Sequence, residues 1–281
     1  MHHSSSAVRQ VGDLTVWAVS DGELAADLSV FSNLEPEEAG RLTGAGRFDH
    51  VLLPVNTFLI RLGPHFALVD AGAGPAGGPA LGKVVENLER IGVRRGEIRT
   101  LLMTHLHPDH SNGLVDRDGH AVYPEAELLL HAREAEFWLD GDIDGSVSER
   151  TRRNMAAARH ATAPYGGRIR RIEDAEQVLP GVAAVALPGH TPGHTGWLLQ
   201  SGGERLFLWG DIVHFAKVQT ARPEVSLVFD VDQAAARAMR TETFERVVRE
   251  GLAVAGAHLP FPGFGTVVRV ADGYRYRPDG P

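Results

Sequence analysis

The chain has 281 residues, 43% hydrophobic and 23% charged, with a formal net charge of −8 and no cysteine. That balance suits a soluble globular protein able to bury a sizeable core, and the negative charge argues against nucleic acid, whose phosphates need a basic surface. Without cysteine there are no disulfides, thiolate nucleophiles or thiolate-held zinc, so any metal must rely on Asp, Glu and the 14 histidines.

Residues 1–12 are expected to form a tail outside the fold, and the rest a single domain, since no linker or repeat divides it. No apolar run approaches the roughly 20 residues of a membrane span. No charged start followed by an apolar core marks a signal peptide either, so a cytoplasmic protein is expected. Leu14 to Val19 alternates as a strand ending at Asp21-Gly22, and Glu35 to Leu42 has helical spacing. Asn56–Leu62 and Phe66–Val69 flank the turn Gly63-Pro64 and predict a hairpin. Its second strand runs into Asp70-Ala71-Gly72-Ala73-Gly74, where glycines permit a tight turn and close backbone approach. A phosphate loop is a weak alternative there, because no Lys-Ser/Thr follows. Asp70 is equally suited to forming the turn and to orienting a ligand histidine.

Leu81 to Ile91 predicts a helix stopped by Gly92. The apolar run Thr100–Met103 then predicts a buried strand, and it delivers Thr104-His105-Leu106-His107-Pro108-Asp109-His110. Side chains two apart in extended backbone point the same way, so His105 and His107 can close on one ion. Pro108 ends the extended run, which leaves Asp109 and His110 free to face a second position. Further on, 127–130 reads as a strand, 132–139 as a helix carrying Phe137 and Trp138, and 147–160 as a helix with Arg150, Arg152 and Arg153. That basic run is a solvated face or part of a substrate entrance.

The same device recurs. A strand over 181–187 leads to Gly189-His190-Thr191-Pro192-Gly193-His194, one over 206–209 to Gly210-Asp211, and one over 252–255 to His258. Between them lies a long amphipathic helix, 232–251, which Asp232 can cap. A strand pair, 266–270 and 274–276, closes the chain. Strand ends thus bring His105, His107, Asp109, His110, His190, Asp211 and His258 to turns. Seven ligands without thiolate are too many for one tetrahedral zinc and suit two ions sharing a carboxylate. Imidazole and carboxylate fit Zn2+ first, with Mn2+, Fe2+ and Co2+ as alternatives.

His105-x-His107-x-Asp109-His110, followed in order by His190, Asp211 and His258, resembles the metallo-β-lactamase superfamily of hydrolases. The resemblance runs from Asn56 to the C-terminus. It implies an α/β fold, a four-layer αβ/βα sandwich of two mixed β-sheets flanked by helices. It also implies that His105, His107 and His190 hold one metal, Asp109, His110 and His258 the other, and that Asp211 bridges them. Glu136-Phe137-Trp138-Leu139, Gly210 to His214, Phe229 to Asp232 and Ala257 to Gly265 look like the methyl parathion hydrolase branch, which includes lactonases.

The activity this implies is a dinuclear metal hydrolase cleaving neutral, hydrophobic lactones, esters or phosphotriesters, in which Asp109 and Asp211 act catalytically. Alternatives on the same fold are a thioesterase like glyoxalase II and an iron-dependent oxidative relative. Asp70 and His194 are expected beside the ligands, and His214 either packs or faces the site. Phe137, Trp138, Phe261 and Phe264 are expected to wall the substrate pocket. The expected partner is a small-molecule substrate, with neither nucleic acid nor membrane, and the chain is expected to pair as a homodimer.

Overall fold

In a computed structural model, the described residues are 6–45, 50–142 and 147–279. The strands are β1 (Ser6–Val11), β2 (Leu14–Ala26), β3 (Val51–Leu62), β4 (His65–Val69), β5 (Ile98–Leu102), β6 (Glu127–His131), β7 (Ile169–Ile172), β8 (Gln177–Leu179), β9 (Val182–Ala186), β10 (Thr195–Ser201), β11 (Glu204–Leu208), β12 (Ala253–Ala255), β13 (Phe264–Val270) and β14 (Gly273–Pro278). The helices are α1 (Pro36–Thr43), α2 (Val84–Arg90), α3 (Pro108–Ser111), α4 (Ala132–Ala135), α5 (Glu149–Thr162), α6 (Ala216–Gln219) and α7 (Gln233–Glu250). No helix among the described residues is long and apolar enough to cross a membrane.

The strands form two sheets of seven, ordered β1 to β7 and β14 to β8. Both are mixed. In the first, β4 to β7 run parallel beside an antiparallel β1–β4. The second is antiparallel except where β11 pairs with β12.

Side-chain alternation along the strands builds the layers. Leu129 of β6 joins Phe58, Ile60, Val69, Trp197, Leu199, Leu206 and Leu208 in a core between the sheets. Its neighbours Leu128 and Leu130 face the other way, against Val84 and Leu88 of α2 and Met155 and Ala158 of α5. Phe207 of β11 turns outward to meet Phe244 and Val247 of α7. Helix, sheet, sheet, helix is therefore the order of the layers, as the resemblance implies.

One expectation is corrected here. Residues 6–11 are not tail: β1 pairs in register with β2 from Ser6↔Val19 to Val11↔Leu14, and Val11 is buried. The polar spacing Val8-Arg9-Gln10 hid a strand whose partner is supplied by the next segment. Residues 1–5 of the expected tail lie outside the described residues. The helix expected over 132–139 is also shorter, because α4 opens at Glu136 into a wide π-type turn reaching Asp140.

Candidate metal centre

Every residue expected to hold metal sits just past a strand. β5 leads to His105, His107, Asp109 and His110, β9 to His190, β11 to Asp211, and β12 to His258. Because the two sheets share one edge, these turns meet there, and all seven residues are brought together.

Two groups of donor atoms form. In the first, His105 Nε2, His107 Nδ1 and His190 Nε2 lie 2.9 to 3.2 Å from one another. Tetrahedral zinc bonds of 2.0–2.1 Å would hold ligand nitrogens about 3.3 Å apart, so the spacing fits an ion. The second comprises Asp109, His110 and His258, with Asp109 Oδ2 3.6 Å from His110 Nε2 and 3.5 Å from His258 Nε2. Asp211 lies between the groups. Its Oδ2 is 3.3 Å from His190 Nε2 and 3.2 Å from His258 Nε2, and its Oδ1 is 3.3 Å from His110 Nε2. His110 Nε2 and Asp211 Oδ1 are buried without any hydrogen-bond partner. Orphaned buried atoms aimed at one point are costly unless a cation satisfies them, and that is how these residues fit a metal.

The outer ring nitrogens explain which nitrogen faces inward. His110 Nδ1 is 2.9 Å from Asp70 Oδ2, and His258 Nδ1 is 2.7 Å from the Pro54 carbonyl. His190 Nδ1 is 2.9 Å from Asp230 Oδ1, and His105 Nδ1 is 3.0 Å from Thr104 Oγ1. With those nitrogens donating, Nε2 is the nitrogen each ring turns to the centre, with its lone pair available once the ring is neutral. Asp70 also accepts from Thr104 N and Thr104 Oγ1, both at 2.8 Å, from a left-handed backbone with φ of 59°. The glycine turn after it serves close approach. Gly113 donates to the Gly72 carbonyl at 2.8 Å, and a Cβ on Gly113 would stand 1.9 Å from the Ala71 oxygen.

His194 is 3.1 Å from the Leu187 carbonyl through Nδ1, and its Nε2 accepts from Asp211 N at 3.0 Å. It therefore fixes the backbone of Asp211 and holds no place in the donor groups. Gly210 makes room, since a Cβ there would lie 2.4 Å from His194 Nε2.

Electrostatics follow from this packing. Burial favours the neutral carboxyl of Asp211, but the surrounding His110, His258, His214 and His105 together hold it well below the usual carboxylate range. Burial and neighbouring imidazoles keep His105 and His107 neutral, and burial beside His190 pushes His194 down to about 3. Burial also acts to lower His190, yet Asp211 and Asp230 outweigh it and raise that imidazole to about 9.

Sequence reasoning missed two supports. Asp230, named above only within a resembling segment, holds His190. Glu134, on α4, accepts from Leu106 N at 2.9 Å, Thr191 Oγ1 at 2.7 Å and Gly193 N at 3.0 Å. One buried carboxylate thus ties the turn of His105 to the turn of His190. No sequence signal sets Glu134 apart, since Arg133 and Glu136 are charged neighbours on the same short stretch.

The cleft above the donors has a volume of about 340 Å³. Its walls differ from those expected. They come from Leu24, Leu53, Ala73, Leu81 and Phe229, with Arg150 and Asn154 from α5. Trp138 is 1% exposed and lies beneath His107, ring centroids 5.4 Å apart, with Phe137 packed against it at 4.7 Å. Phe264 is buried against Phe58, and Phe261 packs on the core between the sheets. None of the four lines the cleft, because each is turned into a core layer. His214 does line it, 3.0 Å from Asp211 Oδ2 and stacked on His258.

Two mixed sheets between helices, with a His/Asp cluster at their common edge, define a metal-binding hydrolase architecture. The chain belongs to the metallo-β-lactamase superfamily, whose family model matches residues 50–266. Curated relatives include a probable metallo-hydrolase of Mycobacterium bovis, 27% identical over 154 residues, which are 52% of this chain and 47% of that protein. The match to a probable metallo-hydrolase of Mycobacterium tuberculosis has the same extent, so the chain matches about half the length of these relatives. Among solved structures, the hydrolase AbOPH of the β-lactamase superfamily superposes with a TM-score of 0.92 at 29% identity, covering 100% of this chain and 99% of that one. AidC, a dizinc quorum-quenching lactonase solved with the product N-hexanoyl-L-homoserine, gives 0.91 at 22% identity over 99% of both chains, a likeness of fold.

Proposed function

We propose that this chain is a dinuclear metal-dependent hydrolase of neutral, hydrophobic lactones, esters or phosphotriesters, with Zn2+ as its first choice of metal. The observation that carries the proposal is Asp211, whose two carboxylate oxygens face both donor groups at the floor of the cleft. His105, His107 and His190 would hold one ion and Asp109, His110 and His258 the other. Bound there, two divalent ions supply Lewis acidity to a carbonyl or phosphoryl oxygen and acidify water towards neutrality.

The chain's own residues do the rest. Asp70, Asp230, Thr104 and the Pro54 carbonyl fix the imidazoles, so little reorganises during turnover. Asp109 lines the cleft with 24% of its side chain exposed, and the carboxylate oxygen left over from the donor group would pass a proton to a leaving group. Leu24, Leu53, Leu81 and Phe229 exclude water and favour an apolar substrate limb. Arg150 qualifies that preference, because it lines the cleft with its guanidinium carbon 5.7 Å from the Phe229 ring centre.

The lactonase activity of a protein with this fold supports including lactones in the test. Zinc-loaded protein is assayed by kcat/KM on matched lactones, aryl esters and phosphotriesters, each neutral or carrying a carboxylate. Neutral substrates are expected to win. Anionic substrates winning by tenfold, about 1.4 kcal/mol, would overturn the preference and point to Arg150. No hydrolysis of any of them would overturn the activity.

A further inference from the structure

α7 lies outside the second sheet and contributes no donor to the metal centre, yet it carries a fully buried cation, the largest among the described residues. Arg240 is 1% exposed. Its Nε donates to the Ile212 carbonyl at 2.7 Å, and its Nη1 donates to the carbonyls of Pro223 and Val225, each at 2.8 Å. Nη2 stands 4.0 Å from Asp230 Oδ2.

Those partners are not scattered. Ile212 follows Asp211 directly, and Asp211 is already held on its other side by His194 through its N–H. Asp230 holds His190 Nδ1 with one oxygen and accepts from Leu227 N at 3.1 Å with the other. The backbone beyond is joined too, since Val231 N donates to the His190 carbonyl at 2.9 Å. One guanidinium therefore holds the segment carrying the shared carboxylate and sets its charge 4.0 Å from the carboxylate that aims His190. The planar fork suits this, because its donors have fixed directions that an ammonium lacks.

Stability alone does not account for the residue. Burying a cation without a close carboxylate is costly, and an apolar side chain of similar volume often serves a core as well or better. We propose that Arg240 is a positioning residue for the metal centre, keeping Asp211 and His190 in register by holding the Ile212 carbonyl with a hydrogen bond while its charge stands 4.0 Å from Asp230. The inference rests on the metal reading given above, and its test needs no substrate.

Zinc is titrated into the full metal-free chain against a chelator, which resolves a dissociation constant for each position, and visible absorption is recorded after Co2+ substitution. Arg240→Met is expected to weaken the position of His105, His107 and His190 by about 10- to 100-fold, the usual effect of losing an outer partner. The other constant should weaken less, through the shared Asp211, and the cobalt bands should shift. Asp230→Asn should weaken the same constant, which identifies it. If Arg240→Met does not fold, Arg240→Lys keeps the charge without the fork, and its combination with Asp230→Asn decides. A double variant no weaker than Asp230→Asn alone supports a shared route, whereas losses that multiply overturn it. Unchanged constants and cobalt bands, with only a lower unfolding temperature of the metal-free chain, would make Arg240 structural and overturn the inference. A wild-type chain that binds no transition metal sinks the metal reading itself.

Discussion

Asp211→Ala is the perturbation that tests the centre most directly. Five imidazoles surround this carboxylate, with Nε2 of His214, His258, His110, His190 and His105 at 3.0, 3.2, 3.3, 3.3 and 3.6 Å. Removing it deprives both donor groups of their shared oxygens. A site filled at a hundredfold over its dissociation constant stabilises the native state by about 2.7 kcal/mol, so two such sites contribute about 5 kcal/mol. With unfolding entropy of about 2.1 cal/mol/K per residue over 281 residues, zinc should raise the wild-type unfolding temperature by about 9 °C. Asp211→Ala should lose most of that rise, retain under one zinc per chain after dialysis, and turn over substrate slower by orders of magnitude.

Asp232→Ala is the control. Asp232 Oδ1 caps α7 by accepting from Ala234 N and Ala235 N, both at 3.0 Å. Its loss should cost about 0.5–2 kcal/mol, an effect of a few degrees that leaves zinc content alone. Differential scanning calorimetry with and without zinc, paired with elemental analysis, reads both variants. An Asp211→Ala protein that keeps two ions and near-normal turnover would refute the bridge.

Three other outcomes are expected. Asp70→Asn sets an amide among three donors and should weaken the position of Asp109, His110 and His258 by about 10- to 100-fold, read by chelator competition; unchanged affinity would show that Asp70 only shapes its turn. Trp138→Ala should cost about 3–5 kcal/mol in denaturant unfolding and barely move KM, whereas a large rise in KM at unchanged stability would restore it to the substrate wall. Phe229→Ala should raise KM for apolar substrates more than it lowers kcat, and steady-state kinetics showing an equal fall in kcat would mean that the ring acts in the transition state.

The donors were legible because their signal is local: a strand, then a turn in which His or Asp stands near Gly or Pro, repeated along the chain. The layers were legible only through the resemblance, since the 127–130 run marks a strand without showing what covers its two faces. What stayed hidden depends on distant partners. Asp230 reads as one more acidic residue before a helix until His190, 40 positions earlier, is placed against it. Arg240 reads as a solvated residue of the amphipathic helix expected over 232–251, and only the fold shows it buried on the face of Ala236, Phe244 and Val247. The aromatic wall failed for the same reason. Nearness of Trp138 and Phe261 to motif residues in sequence says nothing of which face of the turn they occupy, and both occupy the core side. Leu24, Leu53 and Phe229, which do line the cleft, sit in segments without any motif ligand.

The placement of the centre has a physical cost that explains its supports. Donor nitrogens held about 3 Å apart, with a carboxylate among them, gain nothing from one another without a cation between them, and their desolvation opposes folding. Apolar packing of the two sheets supplies the driving force, and it is largely indifferent to how the turns at the edge are arranged. Precision at the edge must therefore come from directional bonds made by groups that do not bind metal. Asp70, Thr104, Asp230, Glu134 and His194 are such groups, and each is buried where a wrong partner would be expensive. Three of the five join separate strand ends: Asp70 links β4 to His110, Glu134 links the turns after β5 and β9, and His194 links β9 to Asp211. The centre is thus braced across the strands of both sheets, so a change at one brace is felt by donors on another strand.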